Sequence, residues 1–96
     1  MKKMDLLYSN EVTLDDNRTM RLEYNITESR SADNDEPYYG IQITKYIDDS
    51  TETEEIQGIS YSRDKVEEIA GILFRNIVTP ISMVEIVDDI ITLGAV

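Results

Sequence analysis

The chain contains no cysteine and no histidine. Without cysteine there is no disulfide framework and no thiolate nucleophile. Without histidine the commonest general base and the commonest metal ligand are both missing. Tryptophan is also absent, and only one phenylalanine is present. Basic residues are few: 9 lysines and arginines stand against 20 aspartates and glutamates, a formal charge of −11. The bases are scattered, so the clustered cations that contact phosphates are lacking and direct nucleic-acid binding is not expected. No apolar run is long enough to span a bilayer, and Leu6-Leu7-Tyr8 behind Met1-Lys2-Lys3 is too short for the core of a signal peptide. The expected location is the cytoplasm, with no membrane partner.

What is present suffices for one small fold. Ninety-six residues with 41% hydrophobic content predict a single domain over 1–96 with one modest core. The clearest stretch is Ser62 to Pro80. Val66, Ile69, Ala70, Leu73, Phe74 and Ile77 recur at helical spacing and form one apolar stripe. Ser62 has the chemistry of an N-cap, and Asp64 lies near the positive end of the helix dipole. Proline disfavours the α conformation in the residue before it, so the helix is expected to end near Thr79. Thr79 and Pro80 can then cap and open a second helix, making a tight corner. This second helix is expected over Pro80 to about Leu93, with a wide apolar face from Ile81, Met83, Val84, Ile86, Val87, Ile90 and Ile91 and a potential break near Asp89.

Everything before Ser62 reads as strand. Leu6, Tyr8, Val12 and Leu14 share one parity, interrupted by Asn10, and Asp15-Asp16-Asn17 is a turn. Met20, Leu22, Tyr24 and Ile26 alternate cleanly with polar residues, the pattern of a half-buried antiparallel strand. Glu28 to Pro37 is a polar loop and the best place for local disorder. In the third strand, Tyr38 to Ile47, the core parity is Tyr39, Ile41, Ile43 and Ile47, with Lys45 among them. Asp48 to Thr53 is an acidic turn region. Ile56 and Ile59 in the fourth strand have opposite parity, and a bulge at Gly58 would bring both to the core. Four strands followed by two helices predict an α+β fold: a four-stranded antiparallel meander (ββββαα) with both C-terminal helices packed on one face.

The acidic clusters invite a metal reading. Asp33-x-Asp35 has the opening spacing of a calcium loop, but the later glycine and terminal glutamate are missing, so a solvated acidic turn is the better reading. Paired carboxylates for glycoside hydrolysis need a cleft that so small a two-layer domain does not readily form, and serines and threonines lack a histidine to activate them. No catalytic, cofactor-binding or metal-ligating residue is assigned.

The six tyrosines are more informative. Tyr8, Tyr24 and Tyr39 fall on core parities. Tyr38 and Tyr46 fall on the far face of strand three with Gln42 and Thr44, and Gly40 leaves room for an aromatic ring to lie across the strand. Two readings stand for that face: a protein interface, whose composition it matches, or a partly solvated sheet face. The second helix is too wide in its apolar face for a terminal helix, so Ile86 and Ile90 are candidates to remain exposed. Paired across a two-fold axis, they make a homodimer seam.

Tyr39-Gly40-Ile41 on a strand, Gly58-Ile59-Ser60 before the helix, Thr79-Pro80, and Val87-Asp88-Asp89 downstream together resemble a family of small acidic proteins of unknown function from anaerobic Firmicutes. The resemblance covers most of Tyr38 to Ile91. It implies a cytosolic, single-domain, non-catalytic protein and brings no activity, cofactor or binding residue with it. The leading expectation is a protein-interaction or regulatory module, possible as a homodimer, with the partner unidentified. The alternative is an acidic decoy that mimics nucleic acid on a basic protein; a weak enzyme or a calcium binder ranks below both.

Overall fold

The alternation in Met20 to Ile26 becomes the centre of an open antiparallel sheet. The computed structural model describes residues 3–30 and 36–94. The strands are β1 (Lys3–Thr13), β2 (Thr19–Arg30), β3 (Pro37–Ile47) and β4 (Ser50–Ser60), and the helices are α1 (Arg63–Arg75) and α2 (Pro80–Thr92). The strands lie in sequence order β1-β2-β3-β4, each pair antiparallel, so the expected meander is observed. Of the polar stretch expected as a loop, Glu28 to Pro37, half (31–35) lies outside the described residues. Glu28 to Arg30 instead continue β2 and pair with Pro37 to Tyr39 of β3, so the loop is shorter than expected.

One core joins sheet and helices. Leu22, Tyr24 and Ile26 from β2 meet Ile41 and Ile43 from β3, Val66, Ile69, Ala70 and Leu73 from α1, and Met83, Val87 and Ile90 from α2. Both helices therefore cover the same sheet face, α1 crossing all four strands and α2 lying over β3 and β4. Tyr8 stacks on Phe74 with ring centroids 4.6 Å apart, and Tyr24 meets Phe74 edge-on at 5.9 Å. Ser62 caps α1 as expected, its hydroxyl accepting from the Lys65 N–H at 3.3 Å. Arg63 in the first turn fastens α1 to β1, reaching Asp5 at 3.3 Å and Glu67 at 2.7 Å.

Two bulges set the register. In β1 one extra residue, Leu7, opposes β2 between the Leu6–Asn25 and Tyr8–Tyr24 pairs. The bulge flips the pleat, so the uniform parity expected for Leu6, Tyr8, Val12 and Leu14 does not hold. Leu6 lies on the far face and is exposed with Met4, whereas Leu7 and Tyr8 both pack against the core. In β4 the expected bulge is present: Tyr39 pairs with Ser60 and Ile41 with Ile56, leaving Gln57, Gly58 and Ile59 opposite Gly40. Gly58 takes φ +66°, and Ile56 and Ile59 both pack against the core.

Gly40 has a different role from the one expected. A Cβ there would collide with the Ile56 carbonyl oxygen and lie 2.9 Å from Thr27 Oγ1. The backbone of β4, not an aromatic ring, occupies the room that the missing side chain leaves.

Helix α1 also ends earlier than Thr79-Pro80 suggests. Its last residue is Arg75, and Ile77 adopts φ +53°. The Ile77 N–H donates to the Phe74 carbonyl at 3.2 Å and the Val78 N–H to the Leu73 carbonyl at 3.0 Å, the pair of bonds of a Schellman turn. Ile77 thus leaves the apolar stripe for solvent, while Val78 turns inward onto the core. Thr79 and Pro80 open α2 at the expected positions, although the Thr79 side chain makes no capping hydrogen bond. No break occurs at Asp89; α2 runs unbroken to Thr92.

Candidate functional site

On the far face of the sheet, polar side chains satisfy one another across strands. Tyr46 donates to Glu23 Oε1 at 3.0 Å, and Arg21 lies over the Tyr46 ring at 4.6 Å. Gln42 donates to Glu55 Oε1 at 3.2 Å, and the Thr44 and Thr53 hydroxyls lie 3.3 Å apart. Thr44, Asn25 and Thr27 on this face are buried, Asn25 opposite Gln42 and Thr27 opposite Gly40. Tyr38 stands apart from this network, packed edge-on against Tyr61 at 6.3 Å beside Gly58. The structure therefore brings Gln42, Thr44 and Tyr46 together on one face with Tyr38 at its end, but as partners in cross-strand pairs.

At the hairpin ends, acidic turns are drawn together by one base. Arg18 Nε meets Asp16 Oδ2 at 2.7 Å and its Nη1 meets Asp48 Oδ2 at 3.0 Å, joining the β1–β2 turn to the β3–β4 turn. The backbone N–H of Arg18 and then its guanidinium hold the Asp16 carboxyl below the usual carboxylate range. Among the described residues, no three acidic side chains converge as metal ligands would; Asp33 and Asp35 lie outside those residues.

Along α2 the exposed apolar surface is one step round the helix from the residues expected. Ile90 is 9% exposed and belongs to the core, and Ile86 is half-buried against it, because the strip Met83, Val87 and Ile90 faces the sheet. The outward strip is Ile81, Val84 and Ile91, exposed by 86%, 53% and 51%. These side chains fall at i, i+3 and i+10 on one helix face. With Ile56 of β4 and Val87 they line an open groove of about 420 Å³, bordered by Glu85 and Asp88. Smaller hollows continue it at both ends. One lies beside Glu52, Glu54, Pro80 and Ile81. The other lies beside Ile59, Ser60, Lys65, Ile69 and Ile91. Strand β4 forms the other wall, and among the described residues it is an edge strand with no neighbour on its outer side.

Sequence reading missed this groove because it treated the α2 apolar residues as one wide face. They form two strips, and two apolar strips on a helix over a single sheet mean that one remains outside. Knowing that β4 is the last strand of the sheet would have completed the inference. Ile56 is then an edge residue, and among the described residues no further strand lies beyond it for the helix above to pack against.

Among the described residues, the groove is lined by isoleucine, valine and carboxylates, and the hollow at its Ile91 end adds Ser60 and Lys65. A family model described as a family of unknown function (DUF6514) matches residues 3–93, so the chain belongs to that family. No curated protein and no solved structure matches the chain.

Proposed function

We propose that this member of the DUF6514 family is a small, non-catalytic protein-interaction or regulatory module that docks another protein along the groove between α2 and β4. The observation that carries the reading is the exposed strip Ile81, Val84 and Ile91 beside the free edge of β4. Contiguous exposed apolar surface next to an unpaired strand invites association. The far face supports the reading less well, since Gln42, Thr44 and Tyr46 already have partners within the sheet. Work in the cytoplasm of an anaerobic Firmicute, which the sequence resemblance implies, is part of the proposal. No helix among the described residues is long and apolar enough to cross a membrane.

The decoy reading stands second. It asks for a row of free carboxylates, whereas Asp16 and Asp48 are held by Arg18, Asp5 and Glu67 by Arg63, and Glu52 by Lys45.

The test is affinity capture from a native host lysate with three baits: wild type, Ile81→Asp and Tyr46→Ser. The proposal expects proteins retained by wild type and Tyr46→Ser to be lost with Ile81→Asp. Equal retention by all three baits, or loss with Tyr46→Ser alone, overturns the groove as the docking site.

A further inference from the structure

We infer that the segment seated in this groove is a cationic amphipathic helix of another protein; the inference rests on the groove reading and names its occupant. The floor is apolar, and three carboxylates border it: Glu85 and Asp88 on α2 and Glu54 on β4. All three are exposed, and a partner that buries the strip must also meet their charge. Glu52, at the same end, is already matched by Lys45 at 3.3 Å. A lysine or arginine flanking an apolar stripe satisfies both demands, because its aliphatic stem covers the rim and its charged head meets the carboxylate. Lys65 lies at the opposite end, and Lys45 is taken up by Glu52. The occupant's positive charge is therefore concentrated where it meets Glu54, Glu85 and Asp88.

The dimensions favour a helix. The strip from Ile81 to Ile91 spans ten helical steps, about 15 Å, which is nearly three turns of a partner lying alongside. Residues at i, i+3, i+4 and i+7 of such a partner would fill the floor. Strand addition to β4 is less favoured at both parts of that edge. The Gly58 bulge bends the strand at one part, and Glu52 and Glu54 stand on the other, the arrangement by which natural edges resist pairing.

A second copy of this chain is the occupant that the charges oppose. A two-fold axis between Ile86 and Val87, close to the middle of the strip, sets Glu85 of one copy against Asp88 of the other, and the reverse. Four like charges then meet at helix-packing distance, on a chain of formal charge −11. Like charges brought together across an interface select against that partner.

The experiment uses the full chain and a fluorescein-labelled designed peptide of roughly 16 residues with one leucine stripe flanked by lysine and arginine, the length being about that of the groove plus a turn at each end. Two control peptides carry the same stripe with glutamate flanks, or the same composition scrambled to remove the stripe. Fluorescence anisotropy is measured against wild type, Ile81→Ser with Ile91→Ser, Glu85→Gln with Asp88→Asn, and Glu11→Gln on the far face. The stripe peptide with basic flanks is expected to bind wild type and Glu11→Gln alike. Each groove double variant should weaken binding by about tenfold or more, as loss of central contacts does. The rim variant should also flatten the salt dependence. Equal binding of the glutamate-flanked or scrambled peptide overturns the inference, as does equal binding by wild type and both groove variants. A stable dimer by light scattering that Ile81→Ser with Ile91→Ser dissociates would replace the partner with a second copy. If no peptide binds while Ile81→Asp still loses captured proteins, the partner chemistry is wrong and the groove reading stands. If capture is also indifferent to Ile81→Asp, both fail.

Discussion

Tyr24, in the middle of the sheet, donates its buried phenol to the Val78 carbonyl at 2.9 Å, tying the centre of β2 to the corner between the two helices. The bond spans 54 residues of sequence and lies under the entry to α2. Tyr24→Phe keeps the ring, and its edge contact with Phe74, but leaves the Val78 carbonyl without this donor. Loss of one buried hydrogen bond of this kind costs about 1–2 kcal/mol. Urea unfolding should show that loss as a lower midpoint with an unchanged slope.

The same phenol makes a prediction in pH. Burial pushes the Tyr24 hydroxyl up to about 12 from its ordinary 10. The folded state therefore keeps a proton that the unfolded state releases between those values. Where the unfolded chain binds fewer protons, stability falls as pH rises. The contribution is complete below pH 10 and is lost as pH climbs toward 12. Wild type should lose stability over that range more steeply than Tyr24→Phe, which lacks the group. Thermal melts of both at pH 8, 10 and 11 measure the difference, and parallel declines would show that Tyr24 is not the group responsible.

Gly40→Ala tests the crossing of β4. The added methyl meets the Ile56 carbonyl, which is backbone and part of a paired strand, so β4 must move. Overpacking of this kind costs about 1–3 kcal/mol. The damage should be local as well as global. Amide exchange should quicken at Ile56 to Ser60 first, because the ladder there is already interrupted on the edge of the sheet.

Most of the fold was legible because its strongest signals are periodic. Met20 to Ile26 alternates without error, and Val66 to Phe74 holds helical spacing, so both elements and their buried faces follow from pattern alone. Gly58 announced its bulge because two isoleucines of opposite parity flank it. Leu7 gave no such warning: neighbouring leucines satisfy either register, and only pairing with β2 decides which one turns inward. The groove was hidden for a related reason. Ile81, Val84 and Ile91 look like core residues in any helix, and their exposure depends on β4 being the last strand.

Tyr46→Ser separates the far face from the core. Tyr46 loses its hydrogen bond to Glu23 and its contact with Arg21, both on a half-exposed surface. Cross-strand pairs of this kind contribute roughly 0.2–1 kcal/mol each. The melting temperature should fall by a few degrees at most, with near-native circular dichroism. Collapse of the transition would mean that this face is core.

Ile77→Gly should make the protein more stable, although it deletes a large apolar side chain. Ile77 holds φ +53°, where a β-branched residue crowds its own backbone. The left-handed conformation costs an ordinary residue about 1–2 kcal/mol, and glycine escapes that cost. The side chain returns only part of what a core isoleucine does, being 44% exposed. Opposing the gain is the greater freedom of glycine in the unfolded chain, about 0.5–1 kcal/mol. The Schellman bonds from Ile77 and Val78 are made by backbone N–H groups, so they survive the substitution. The expected result is a rise of up to about 1 kcal/mol by urea unfolding, the upper end of the left-handed relief less that entropy. Ile77→Val, which keeps the β-branch, is the control and should gain nothing. A loss with Ile77→Gly would mean that the exposed side chain packs on the corner more tightly than its exposure suggests.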